Sequence, residues 1–249
     1  MTAEGRGVRA VPLPTPVLLH GFGTSARLWD AVTPLLDGPA LALDLPGFGD
    51  SQDERYSVDG MADAVQERLA GLESFVLVGH SMGAKVAAVL AGRRPAGLQA
   101  LLLIAPSPLS PEPMSSQDRA DLKAAHGQPE RLRQHYADIT RLPITEQTMA
   151  QLVSDGLRAS PAAWNAWPDS GSRENIGAGA ASITVPVTLL TSVADPVITP
   201  QVVAELLRPA FPQASFTPLQ GSGHLLPLEL PAQVAATVRA VCAGRSARP

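Results

Sequence analysis

The chain has 249 residues, 45% of them hydrophobic, 17% charged and 4% aromatic, with a formal net charge of −4. Ordinary apolar content with modest charge excludes a collagen, a coiled coil and a wholly disordered chain. The acidic balance leaves no overall footprint for nucleic acid, and a single cysteine, Cys242, excludes an internal disulfide framework or a thiolate-rich zinc site.

Short apolar runs, each closed by turn residues, alternate with helical patterns. Pro16–Leu19 reads as a buried strand ending in His20-Gly21-Phe22-Gly23, and Trp29–Leu36 as a short helix. Ala40–Leu43 is the next strand, closed by Asp44-Leu45-Pro46-Gly47-Phe48-Gly49. Val58–Leu72 has helical spacing behind a Ser57 cap. Phe75–Val78 is wholly apolar, Met82–Ala91 is a helix of small residues, and Leu98–Ala105 is another strand. Strands without polar alternation belong to a sheet covered on both faces, and the alternation with helices predicts parallel pairing.

The rhythm breaks at Pro106. From there to Gly179 no strand-like run occurs, and helical patterns lie at Gln117–His126, Glu130–Thr140 and Thr145–Arg158. Strands resume at Val185–Thr191 and Ser215–Leu219, a last helix covers Ala232–Ala243, and the tail Gly244–Pro249 is expected to be disordered. The organisation predicted is an α/β core of residues 1–105 and 180–249, with 106–179 inserted as a helical cap. The N-terminus has no apolar segment suited to export, and no apolar run approaches the roughly 18 residues of a membrane span. A cytoplasmic location is therefore expected.

The sharpest motif is Gly79-His80-Ser81-Met82-Gly83, placed between a strand and a helix. A G-x-S-x-G turn in that context lifts a serine hydroxyl above the C-terminal end of the sheet, at the N-terminus of a helix. A serine attacks only when a base takes its proton. Five histidines are available: His20, His80, His126, His135 and His224. His80 is expected to point away from Ser81, His20 to support its own loop, and His126 and His135 to be solvated on the insertion. His224, in Gly221-Ser222-Gly223-His224 after a late strand, is the best base. Asp195, before Pro196 and after Val185–Thr191, is the acid that would hold the imidazole. The N–H groups of Met82 and of Phe22, in the loop after the first strand, are the expected oxyanion donors.

With these residues together the chain resembles the α/β-hydrolase superfamily, and within it the small cofactor-free esterases, lactonases and carbon–carbon bond hydrolases. The resemblance runs from Pro16 to Val241 and includes the Asp44–Ser51 turn. It implies a mostly parallel sheet flanked by helices, with Ser81 as nucleophile, Asp195 as acid, His224 as base, and Phe22 and Met82 at the oxyanion. It implies no cofactor and no metal, and the partner expected is a small, largely apolar carboxylic ester or related carbonyl compound, with neither nucleic acid nor membrane. Two departures stand out. Ser192-Val193-Ala194-Asp195-Pro196 lacks the glycine and first acid common in the family, and the stretch before Pro16 is short enough to abbreviate the first strands. A serine nucleophile argues against haloalkane dehalogenases. Lactone, β-diketone or peroxide-dependent acyl chemistry would use the same residues, a hydroxynitrile lyase would call on the cap lysine Lys123, and a ligand-binding module would turn over slowly. Met114, Leu122, Ile139, Leu142, Met149, Leu152, Trp164 and Trp167 are the apolar insertion residues available either to line a pocket or to seat the cap.

Overall fold

The computed structural model describes residues 12–245. Abbreviated first strands are expected before Pro16; of that stretch residues 1–11, and of the tail residues 246–249, lie outside the described residues. Six strands form one sheet: β1 (Thr15–Leu19), β2 (Leu41–Leu43), β3 (Phe75–His80), β4 (Leu98–Ile104), β5 (Val187–Ser192) and β6 (Ser215–Leu219). All pairs are parallel, in the order β2-β1-β3-β4-β5-β6. The six strands expected from the apolar runs are all present.

Alternate side chains of each central strand enter opposite layers, as a parallel sheet covered on both sides requires. Leu19, Leu77, Leu101 and Leu189 pack with helices α1 (Val58–Arg68) and α2 (Met82–Gly92). Leu18, Val78, Leu102 and Leu190 pack on the other face with α11 (Pro231–Cys242) and Trp29. Cys242 is buried in that second layer.

Between β4 and β5 the chain forms α3 (Ser116–Ala125), α4 (Pro129–Ile139), α5 (Glu146–Arg158), α6 (Pro161–Asp169) and the single turn α7 (Gly177–Ala180). Sequence periodicity passed over α6, although Ser160 caps it and Pro161 occupies its first turn. It also passed over α8 (Pro200–Val202) and α9 (Arg208–Ala210), which a π-helical stretch at Val203–Leu207 joins, and α10 (Leu226–Glu229). Pro209 has no N–H for the Glu205 carbonyl, which accounts for the widened turn. The helix expected at Trp29–Leu36 is instead two 3₁₀ turns, Ala26–Trp29 and Thr33–Leu35. Pro34 removes the N–H that an α-helix would need there. Among the described residues no helix is long and apolar enough to cross a membrane.

The strand order creates the crevice at which the loops carrying Phe22 and Ser81 lie. From β1 the chain moves outward to β2, then returns past β1 to β3, so the loops after β1 and β3 diverge. In open α/β sheets that divergence opens a crevice at the carboxyl ends of the strands. The loop after β1 carries Phe22, and the turn after β3 carries Ser81.

Leu77 is fully buried at the middle of this sheet. Leu77→Ala is expected to lower unfolding free energy by about 2–5 kcal/mol with the denaturant slope unchanged. A loss under about 1 kcal/mol in urea titration would contradict the packing described.

Candidate active site

Ser81 stands between β3 and α2 with φ 51° and ψ −116°, a conformation that L side chains rarely adopt. Such a residue costs of order 1–3 kcal/mol and persists only where its surroundings dictate it. Here the Ser81 N–H donates to the Ile104 carbonyl at 3.0 Å, and the Ser81 carbonyl accepts from Ala84 at 3.0 Å and Ser107 at 3.2 Å. The flanking glycines permit the turn. A Cβ on Gly79 would lie 2.5 Å from the Ala84 Cα, and one on Gly83 would lie 2.7 Å from the Leu19 carbonyl oxygen. Both contacts are with backbone, which has no room to yield.

His224 follows β6 and reaches Ser81 from across the sheet. Its Nε2 lies 2.9 Å from the Ser81 hydroxyl, and its Nδ1 lies 2.8 Å from Asp195 Oδ2. With the Nδ1–H directed at Asp195, the Nε2 lone pair faces the Ser81 hydroxyl. Asp195 Oδ1 accepts the N–H groups of Val197 at 2.8 Å and Ile198 at 3.0 Å. Burial by itself raises the Asp195 carboxyl, but the facing His224 and these donors outweigh it, so it lies below its ordinary range. Burial likewise lowers the His224 imidazole, and the Asp195 charge and hydrogen bond overcome that, so it lies above its ordinary 6.5.

The loop after β1 lies against the serine. A Cβ on Gly21 would stand 3.2 Å from the Ser81 Cβ. Thr24 Oγ1 donates to the Gly21 carbonyl at 2.9 Å, and the Tyr136 hydroxyl of α4 donates to the Gly23 carbonyl at 2.6 Å. The Phe22 ring packs on Trp164 with centroids 4.5 Å apart. The Phe22 N–H has no hydrogen-bond partner among the described residues, nor does that of Met82 at the start of α2. His20 donates through Nδ1 to the Gly21 carbonyl and accepts the Leu45 N–H on Nε2 at 3.0 Å, which is the supporting role expected of it.

All five predicted residues therefore lie at the carboxyl end of the sheet. Other expectations need correction. His126 is not solvated but half-buried, its Nε2 donating to the Ala159 carbonyl at 2.9 Å beneath Trp164. His135 is half-buried in the wall of a cavity beside the site, and burial drives it down to about 4. Met114, Leu122 and Ile139 line that cavity, whereas Met149, Leu152, Trp164 and Trp167 are buried and seat the insertion.

Two supporting residues escaped the sequence reading. His80 does turn from Ser81, but its Nε2–H donates to the His224 carbonyl at 2.9 Å, and burial holds its imidazole neutral, down to about 3. Glu229 accepts four backbone N–H groups: Gly223 at 2.7 Å, Leu225 at 3.1 Å, Arg141 at 2.8 Å and Leu142 at 2.9 Å. It thus grips both neighbours of His224 and the end of α4. Its signal was a lone charge within the apolar run Leu225–Pro231.

Linkage gives a test of the Asp195–His224 contact. A lowered carboxyl stabilises the fold above the unfolded carboxylate's pKa and loses that contribution as pH falls through the folded value. A raised imidazole stabilises below 6.5 and loses that contribution as pH rises through its folded value. The stability gap between wild type and Asp195→Asn is therefore expected to be widest near pH 5 and narrower at pH 8.5, by denaturant unfolding. A gap that widens from pH 5 to 8.5 would refute the contact.

The alpha/beta hydrolase family model matches residues 17–237. A pimeloyl-[acyl-carrier protein] methyl ester esterase of Klebsiella pneumoniae is 40% identical over 95 residues, which make up 37% of this chain and 36% of that protein. The chain thus aligns with only about a third of that relative's length. A Mycobacterium tuberculosis esterase is 28% identical across 92% of this chain and 82% of its own. Among solved structures, a thermophilic esterase from Thermogutta terrifontis superposes with a TM-score of 0.72 at 25% identity, covering 94% of this chain and 92% of that one. A bromoperoxidase from Bacillus anthracis reaches 0.81 at 18% identity over 90% of each chain, a likeness of fold alone. With its six-stranded parallel sheet and the serine turn at its crevice, the chain belongs to the alpha/beta hydrolase family.

Proposed function

We propose that the protein is a serine hydrolase that cleaves a small carboxylic ester through an acyl-enzyme, with Ser81, His224 and Asp195 as its catalytic triad. The observation that carries this reading is the unbroken hydrogen-bonded chain from Ser81 through His224 to Asp195, with contacts of 2.9 and 2.8 Å. Esterase relatives support it.

In this reading His224 takes the hydroxyl proton as Ser81 attacks the ester carbonyl. Negative charge then develops on the carbonyl oxygen between the unpartnered Phe22 and Met82 N–H groups, at the positive end of α2. Asp195 holds the imidazole in the required tautomer and balances the imidazolium. The alcohol leaves with the proton from His224. Water, deprotonated by the same imidazole, then releases the acid and frees Ser81. Residues 106–179 act as a cap that screens the ester from bulk water. Lys123 supports no lyase role, since its ammonium pairs with Asp169 and does not line the cavity.

Ser81→Ala is expected to lower kcat/KM for p-nitrophenyl esters by about 10⁴-fold or more while leaving the fold intact. Turnover retained by the purified variant would overturn the assignment. In wild type, kcat/KM is expected to rise with pH through a midpoint above 6.5, because the base must be neutral and Asp195 raises its pKa. A midpoint below 6 would contradict the role given to Asp195.

A further inference from the structure

A cavity of about 720 Å³ opens between α3, α4 and the loop after β5. It adjoins the reacting residues. Ile139 in its wall accepts the His224 N–H at 2.7 Å, and Val197 and Ile198, also in its wall, donate to Asp195. Its charged lining is one-sided: Glu112, Asp118, Asp121 and Asp138 against Arg131. Among the described residues, none of these four carboxylates is ion-paired. Asp118 caps α3, while Asp121 and Asp138 accept only from the amides of Gln117 and Gln134. His135, the remaining titratable wall residue, is held neutral by burial.

Glu112 differs from the three exposed acids. It is only 8% exposed, and its peptide is tied down by its N–H bond to the Ser172 carbonyl at 2.8 Å. Glu112 lines the cavity, and its carboxyl accepts no backbone N–H and has the Ser107 hydroxyl beside it. Lys85 and Arg119 lie near enough for their charges to act on the Glu112 carboxyl, and Arg119 donates to the Glu112 carbonyl at 3.4 Å, but neither forms a salt bridge with it. Lys85 donates to the Glu174 carbonyl at 2.7 Å, and Arg119 donates to the Pro168 carbonyl at 2.7 Å and the Ser172 hydroxyl at 2.5 Å. Neither lines the cavity.

We infer that this cavity is a subsite for a positively charged group, so that the preferred esters carry a protonated amine on the part reaching toward α3 and α4. Glu112 is the inner contact, and Asp118, Asp121 and Asp138 form a rim that draws cations inward. Burial pushes the Glu112 carboxyl above its ordinary range despite Lys85 and Arg119 nearby, and an incoming ammonium favours its charged form, whereas a carboxylate ligand adds a like charge. A cleft lined by one sign of charge also concentrates the opposite sign at its mouth. The inference rests on the ester-hydrolase reading for its substrate, but the binding of a cation is separable from turnover.

The test compares p-nitrophenyl esters of 6-aminohexanoate, heptanoate and adipate on the wild-type protein. The ammonium ester is expected to exceed the neutral one by roughly tenfold in kcat/KM at low salt and to lose that lead as ionic strength rises. The carboxylate ester is expected to fall below both. In Glu112→Gln the ammonium-to-neutral ratio is expected to drop toward one. Asp121→Asn with Asp138→Asn, both exposed changes, is expected to flatten the salt dependence even where the Glu112 variant fails to fold. In parallel, calorimetry on wild type compares hexylamine with hexanoate, and hexylamine is expected to bind more tightly. Preference for the carboxylate ester, or hexanoate binding as tightly as hexylamine, would overturn the subsite. If no ester is hydrolysed, the esterase reading falls, and the hexylamine comparison alone decides the subsite.

Discussion

The strained backbone at Ser81 is the constraint around which the rest of the site is arranged. A serine at φ 51° is held there by bonds from both of its peptide groups to β4, the segment after it and α2. The sheet supplies the rigidity. β3 is central, hydrogen-bonded on both sides, and its side chains are buried along its full length. That burial stabilises an arrangement the local backbone resists. In return, the hydroxyl is presented at the mouth of the crevice, where the loops after β1 and β3 part.

The second partner of the serine is held with equal firmness by different means. His224 sits on a loop, yet its backbone is fixed from several directions: Ile139 accepts its N–H, His80 donates to its carbonyl, and Glu229 binds the N–H groups on either side. Charge is distributed so that these supports do not compete with the chemistry. His80 is buried and neutral, so it offers a hydrogen bond without placing a cation beside the imidazole. Glu229 spends its carboxylate on four peptide donors, and among the described residues Asp195 is the carboxylate that bonds the ring itself. Because Arg141 and Leu142 share the Glu229 carboxylate with Gly223, the end of α4 and the histidine loop form one unit. The insertion is therefore coupled to the site through main-chain bonds as well as through apolar packing.

Much of this was legible in the sequence because each feature has a local physical signature. Apolar runs marked the central strands, since a sheet covered on both faces leaves little polar alternation, whereas β6, Ser215–Leu219, carries Ser and Thr among its apolar residues. Gly79 and Gly83 announced the turn because backbone passes where their side chains would be. Motif and position after strands singled out Ser81, Asp195, His224, Phe22 and Met82, and the structure joins the first three by hydrogen bonds. What escaped was set by tertiary contact. The half-buried positions of His126 and His135 depend on how α3 and α4 pack. The roles of His80 and Glu229 consist of bonds to backbone far along the chain or across a turn, and no spacing rule encodes those. Prolines misled the helix reading in both directions. Pro34 broke an apparent helix into two 3₁₀ turns, while Pro161 opened one that the apolar spacing did not mark.

The central claim is that His224 and Asp195 make Ser81 a nucleophile. The most direct measurement is labelling with a fluorophosphonate, followed by peptide mapping and mass spectrometry, on wild type and on His224→Ala. The account predicts a single adduct on Ser81 in wild type and labelling slowed by at least about a thousandfold in the variant. An adduct on another residue, or equal rates in the two proteins, would contradict it.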